Sequence, residues 1–109
     1  MKKISEVKPG MIASIEGYVD EMSPSREITT KFGQRIKIAN AIISDESAKI
    51  KLTLWNEDID RVAIGDRIVV ENGWVSEFKG ELQITAGKQG KIIVNGVEKQ
   101  EHDIEEMEE

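Results

Sequence analysis

Residues 48–55, AKIKLTLW, alternate without a break. Ile50, Leu52 and Leu54 share one parity, and Lys49, Lys51, Thr53 and Trp55 share the other. A period of two is that of a β-strand, and its aliphatic side must be the buried one. The open side is left with a tryptophan beside two lysines and a threonine. An indole there adds little to a core. Beside cations it makes a platform on which a nucleobase can stack while the lysines meet phosphates.

The same period recurs along the chain. Ile4 and Val7 form a short packed lead-in that ends at the Pro9-Gly10 turn. Residues 11–22 read as a long strand, with Ala13, Ile15, Gly17 and Val19 opposed to Ser14, Glu16, Tyr18 and Asp20. Gly17 in its middle predicts a bulge or a sharp coil. After the Ser23-Pro24-Ser25 loop, residues 26–32 read as a short flap strand that Gly33 turns back. Residues 34–44 form the next strand, with Ile36, Ile38 and Ile42 expected inward and Arg35, Lys37, Ala39 and Ala41 outward. A polar turn at 44–47 joins it to 48–55 as a hairpin. The outer face of that hairpin would gather Arg35, Lys37, Lys49, Lys51, Thr53 and Trp55.

Helical spacing is confined to residues 56–64, through Ile59, Val62 and Ala63, and Gly65-Asp66 stops it. Residues 66–75, 81–86 and 91–95 read as further strands, and residues 76–80 as a hairpin loop centred on Phe78. Leu82, Ile84 and Ala86 are expected inward, and Gly87 and Gly90 flank a turn. Trp74 stays open between two readings. Its parity with Ile68 and Val70 makes it core, unless Gly73 marks a bulge that resets the register. Three strands, a short helix and two strands give an all-β chain with the order of a five-stranded Greek-key OB-fold barrel, its helix between the third and fourth strands. An SH3-like barrel or another small sheet has a similar strand count, and the helix favours the OB-fold.

A length of 109 residues fits one domain with a modest core. With no cysteine there is neither a disulfide framework nor a thiolate metal site. The one histidine, His102, stands in an acidic stretch without a partner histidine, and no pair of acids has metal-ligand spacing. No glycine-rich phosphate loop joins a strand to a helix. Neither an enzyme nor a cofactor or metal is expected. No apolar run reaches membrane-span length and no signal-peptide core opens the chain, so an intracellular, unsecreted protein without a membrane partner is expected.

The net charge of −6 argues at first against nucleic acid. Residues 98–109, however, hold seven acids against Lys99, which accounts for all of it; residues 1–97 hold 14 acids and 14 bases. The expected organisation is an OB domain over 1–97 and a solvated acidic tail over 98–109. From residue 26 to residue 51, six bases face three acids, so a local basic face fits a globally acidic chain.

Pro9-Gly10, KLTLW at 51–55, Gly65-Asp66 and ENGWVSEFKGELQITAG at 71–87 resemble the single-OB-fold single-stranded-DNA-binding proteins. These are the simple archaeal and eukaryotic relatives of replication protein A. The resemblance runs from about residue 4 to residue 95, and the order and spacing of its short motifs make it specific. It implies binding of single-stranded DNA in replication, repair and recombination, by a cytoplasmic, nucleoid-associated protein. It also implies that Trp55, Trp74 and Phe78 stack on bases, with Lys79 and Gly80 matching the family's loop. Family members often carry a tail for partner proteins after a glycine-rich linker. Here the tail is short and acidic and no long glycine-rich linker appears, a departure from the family pattern; replication or repair proteins are the partners that such a tail implies by resemblance.

For each residue a plain structural role competes with the functional one. Trp55 can cap the barrel end and Phe78 can fold onto its rim. Phe32, in the loop after the first strand, fits packing or contact equally, and Tyr18 reads as barrel surface. Among the cations Arg35, Lys37, Lys51 and Lys79 lead, with Arg26, Lys31 and Lys49 behind, because phosphate binding needs several charges along one track. Stacking accepts any base and phosphate contacts read none, so little sequence preference is expected. Two other functions share this pattern. One is RNA or tRNA binding on the same surface. The other is a protein-interaction OB domain of a replication or repair assembly, which the neutral body and acidic tail would suit.

Overall fold

In the computed structural model, which describes residues 1–87 and 89–98, the alternating stretches form strands of one sheet. They are β1 (Ile12–Met22), β2 (Arg26–Thr29), β3 (Arg35–Ser44), β4 (Lys49–Trp55), β5 (Arg67–Phe78), β6 (Glu81–Thr85), β7 (Lys91–Val94) and β8 (Val97–Glu98). A single helix, α1 (Glu57–Arg61), lies between β4 and β5. β1, β3, β4, β6 and β5 pair in that order, and β5 pairs back to β1. The ring closes through antiparallel contacts except for the parallel pair β4–β6. This is the expected five-stranded OB-fold, with its helix between the third and fourth ring strands. β2 lies outside the ring as a ribbon on β3, and β7 and β8 extend the sheet from the first half of β5.

Closure depends on β1 changing partner. It pairs with β5 from Ile12 to Tyr18 and with β3 from Tyr18 to Met22. Gly17 sits at the changeover, where an added Cβ would lie 2.8 Å from the Ser44 carbonyl oxygen. The register shifts fall elsewhere, between Ala13 and Ile15 and between Val19 and Glu21. Gly17 therefore allows a close approach in a coiled strand and does not form a bulge.

The interior is aliphatic: Ile15, Leu52, Leu54, Ile68, Val70, Val75 and Ile84 are fully buried. Ile4 and Val7 are also buried in this core, from a single helical turn before β1 (Ile4–Glu6). That turn is fastened by Asp45, in the β3–β4 hairpin. Its carboxylate accepts hydrogen bonds from Ile4 N–H at 2.8 Å, Ser47 N–H at 2.7 Å, Ser47 Oγ–H at 2.6 Å and Ala48 N–H at 3.0 Å. Partial desolvation pushes this carboxyl up, but the bonds from Ile4, Ser47 and Ala48 outweigh it and hold it down at about 2. A depressed carboxyl stabilises the fold above its ordinary value of 3.8 and loses that effect as pH falls from there to about 2. Asp45→Ala is expected to cost about 1–2 kcal/mol at neutral pH. Urea melts at pH 7, 4 and 2 check this: the gap from wild type should close at the lowest pH, and a gap that persists there would refute it.

Two expectations are corrected. In β3 the inward residues are Ala39, Ala41 and Ile43, while Ile36, Ile38, Asn40 and Ile42 lie half-buried on the outer face. A five-stranded barrel is narrow, and small residues on β3 leave room for Leu52 and Leu54 on its neighbour. The helix covers five residues instead of 56–64; Val62 is already extended and buried, and Ala63 is exposed. Arg61 nonetheless ties it to the sheet, donating to the Ile92 carbonyl at 2.8 Å and pairing with Asp58 at 2.9 Å. Residues 97 and 98, at the border of the expected tail, pair with β7 as β8. Asn95 and Gly96 both have positive φ, 51° and 82°, the two-residue hairpin turn for which Asn-Gly is the strongest sequence signal. The acidic residues 99–109 lie outside the described residues. Among the described residues, no helix is long and apolar enough to cross a membrane.

Candidate nucleic-acid interface

The outer faces of β3, β4, β6 and the second half of β5 form one continuous surface. Register places Ile38 beside Trp55, Asn40 beside Thr53 and Ile42 beside Lys51. Across the parallel pair, Lys51 lies beside Gln83 and Thr53 beside Thr85. Trp74, Ser76 and Phe78 complete it opposite Thr85, Gln83 and Glu81. A groove of about 450 Å³ runs over this surface, lined among others by Arg26, Asn40, Lys51, Thr53, Trp55 and Phe78.

Three aromatic side chains are displayed on this face. Trp55 ends β4 at 38% exposure, and its Nε1–H donates to Thr85 Oγ1 at 3.0 Å. That bond fixes the indole across the β4–β6 pair. Phe78, 57% exposed, is the last residue of β5 and not the centre of a loop. The turn after it is just Lys79 and Gly80, with φ of 52° and 82°, which allows β5 and β6 to pair to their ends. Lys79 Nζ stands over the Phe78 ring, 5.3 Å from its centroid.

The two readings of Trp74 are resolved by a bulge. Between Val70 and Gly73 β5 takes three steps where β1 takes two, from Ile15 to Ala13. Asn72 absorbs the extra residue at φ 53°, and its N–H donates to Ser14 Oγ at 3.0 Å. Parity inverts there: Ile68 and Val70 face in, and so do Gly73 and Val75. Trp74 is 47% exposed, between Ile12 on β1 and Thr85 on β6.

The cations divide. Lys49 and Lys51 share the Trp55 face, but each is paired, Lys49 with Asp20 and Lys51 with Glu81, both at 3.7 Å. Arg35 and Lys37 are on the parity of Ala39 and Ala41, hence on the opposite side of the β2–β3 ribbon from Trp55. The expectation that they join the aromatic face is corrected, and the inverted parity of β3 is the cause. Arg26, ranked behind them on sequence, pairs in register with Ile38 and lines the groove. Phe32 and Lys31 are at the ribbon's tip; Phe32 is 83% exposed, with Lys31 Nζ 5.5 Å from its ring centroid. Asn40, Ser76, Gln83 and Thr85 also line the groove and carry neutral hydrogen-bond donors and acceptors. For Gln83 and Thr85, alternation with Leu82 and Ile84 was a sufficient signal.

Among the described residues no cluster of His, Cys, Asp or Glu is placed to hold a metal ion. The face offers rings, neutral hydrogen-bonding groups and a few cations, which suits an unpaired polynucleotide.

Comparison with known proteins points the same way. A family model described as single-stranded DNA binding protein Ssb-like, OB fold, matches residues 12–94. The single-stranded DNA binding protein Ssb of Saccharolobus solfataricus is 38% identical over 92 residues, which are 84% of this chain and 62% of that protein. The chain thus spans less than two thirds of that relative. Among solved structures, the second OB-fold domain of replication protein A from Methanococcus maripaludis superposes with a TM-score of 0.73 at 28% identity, covering 91% of this chain and 98% of that one. The replication factor A related protein from Methanobacterium thermoautotrophicum gives 0.74 at 26% identity, covering 91% and 94%.

Proposed function

Because this chain belongs to the Ssb-like OB-fold family of single-stranded DNA binding proteins, we propose that it binds single-stranded DNA without catalysis and with little sequence preference. Bases stack on Trp55, Trp74 and Phe78, and Arg26, Lys51 and Lys79 meet the backbone phosphates. The observation that carries this reading is the display of all three rings on one outer face, while the aliphatic core needs none of them. The Saccharolobus solfataricus relative, named as a single-stranded DNA binding protein, supports the choice of ligand. On this reading the protein works inside the cell, on the strands that replication, repair and recombination expose. Lys31 and Phe32 would reach the ligand only at the ribbon tip, and Arg35 and Lys37 only if the strand passes behind the ribbon.

Titrating the intrinsic tryptophan fluorescence with oligo-dT, oligo-dA, oligo-U and duplex DNA at two salt concentrations tests the proposal. Both deoxy single strands should quench, and the duplex should not. Two or three phosphate contacts correspond to a slope of about −1.4 to −2 in log K against log salt. Silence with every single strand, or equal quenching by duplex, would refute the reading. Tighter binding of oligo-U than oligo-dT would move the ligand to RNA.

A further inference from the structure

Along β4 the outer face passes from Trp55 through Thr53 to Lys51 and Lys49, from the ring end to the cation end. Beyond Lys51 the groove leads into a second cleft of about 400 Å³, lined by Glu21, Ile42, Lys49, Lys51, Glu81 and Leu82. Lys51 lines both.

The two ion pairs in this region are not built for stability. At 3.7 Å they are longer than charge-assisted hydrogen bonds, and Glu81 is 66% exposed. Exposed pairs of this kind contribute little to folding. The Lys51 side chain, in contrast, is held at 26% exposure between its strand neighbours. Lys51 is thus the enclosed partner and Glu81 the exposed one. Register sets Glu81 opposite Phe78, so a base stacked on that ring carries its phosphate past the Glu81 carboxylate.

We propose that Glu81, and Asp20 at the far end, are built-in competitors for the phosphate: Lys51 and Lys49 engage DNA only by exchanging a carboxylate for it. This rests on the single-stranded DNA reading and adds to it residues that weaken binding. When a phosphate displaces Glu81 from Lys51, the strand sheds a counterion and the freed carboxylate gains one. The contact then adds little to the salt dependence. With the acid gone, the same contact releases a counterion outright, and binding becomes both tighter and steeper in salt.

The test is oligo-dT binding to the full chain across a salt series. Glu81→Gln should bind about three- to tenfold more tightly at low salt, with a slope steeper by about 0.7, and converge on wild type at high salt. Glu77→Gln removes the same charge from the opposite face of the β5–β6 hairpin and should leave Kd within about twofold, since solvent screens charges off the binding track. In a Lys51→Gln background, Glu81→Gln should have no effect. Equal gains from Glu77→Gln and Glu81→Gln would assign the effect to net charge, and a gain that survives without Lys51 would assign it to direct repulsion between carboxylate and phosphate; either overturns the exchange. Unchanged affinity in Glu81→Gln, with wild-type binding intact, overturns it alone. Absence of wild-type binding overturns the functional reading with it.

Discussion

Trp55→Ala is expected to weaken oligo-dT binding by about 1–3 kcal/mol, roughly five- to 150-fold in Kd, while the thermal midpoint stays within a few degrees of wild type. The indole ends β4 on the outer face, it is partly exposed, and its one hydrogen bond runs to Thr85, itself an outer-face residue. Removing it takes away stacking area without opening the core, where Leu52 and Leu54 point the other way. Trp55→Phe should fall between the two, since it keeps a ring but loses the Nε1–H bond to Thr85. Binding of the alanine variant at wild-type strength would remove Trp55 from the site, and a collapsed thermal midpoint would make it a structural residue.

Gly73→Ala is expected to cost about 1–3 kcal/mol of stability. Its Cβ would fall 2.8 Å from Cδ1 and Cγ1 of Ile84 and from Cγ1 of Val70, and both side chains are fully buried. Relieving these contacts requires shifting side chains inside a close-packed core. The strain falls on the bulge that turns Trp74 outward, so binding should weaken as well, even where the variant is fully folded. A urea melt with a lower midpoint and unchanged slope, alongside a weaker oligo-dT titration, would bear this out. A midpoint equal to that of wild type would show that the bulge has slack and that Gly73 is dispensable.

The sequence was most informative where one strand has one polar and one apolar side. In β4 the alternation identified both the buried Leu52 and Leu54 and the outward Trp55, and nothing in the fold disturbs it. It was less informative in β3, where an isoleucine series and an alanine series alternate with nearly equal claims to the interior. Asn40, set among the isoleucines, was the sign that this series faces outward; register puts it beside Thr53 on the groove. That inversion carried Arg35 and Lys37 away from the aromatic face and left Arg26 on it. The hairpin signals at Lys79-Gly80 and Asn95-Gly96 were also in plain view, since glycine in the second position marks a two-residue reversal. The bulge at Asn72 was not, because asparagine enters positive φ in only some of the places where it occurs.

By itself, the order of alternating stretches, with one short helical break, determined the architecture. Local periodicity and turn chemistry depend on neighbours along the chain, and those are written in sequence. Ring closure was what decided which side of β3 is inside, where Trp74 points, and which acids stand against Lys49 and Lys51. Those outcomes depend on strands distant in sequence coming into register, and a period of two separates two faces without saying which one the barrel encloses.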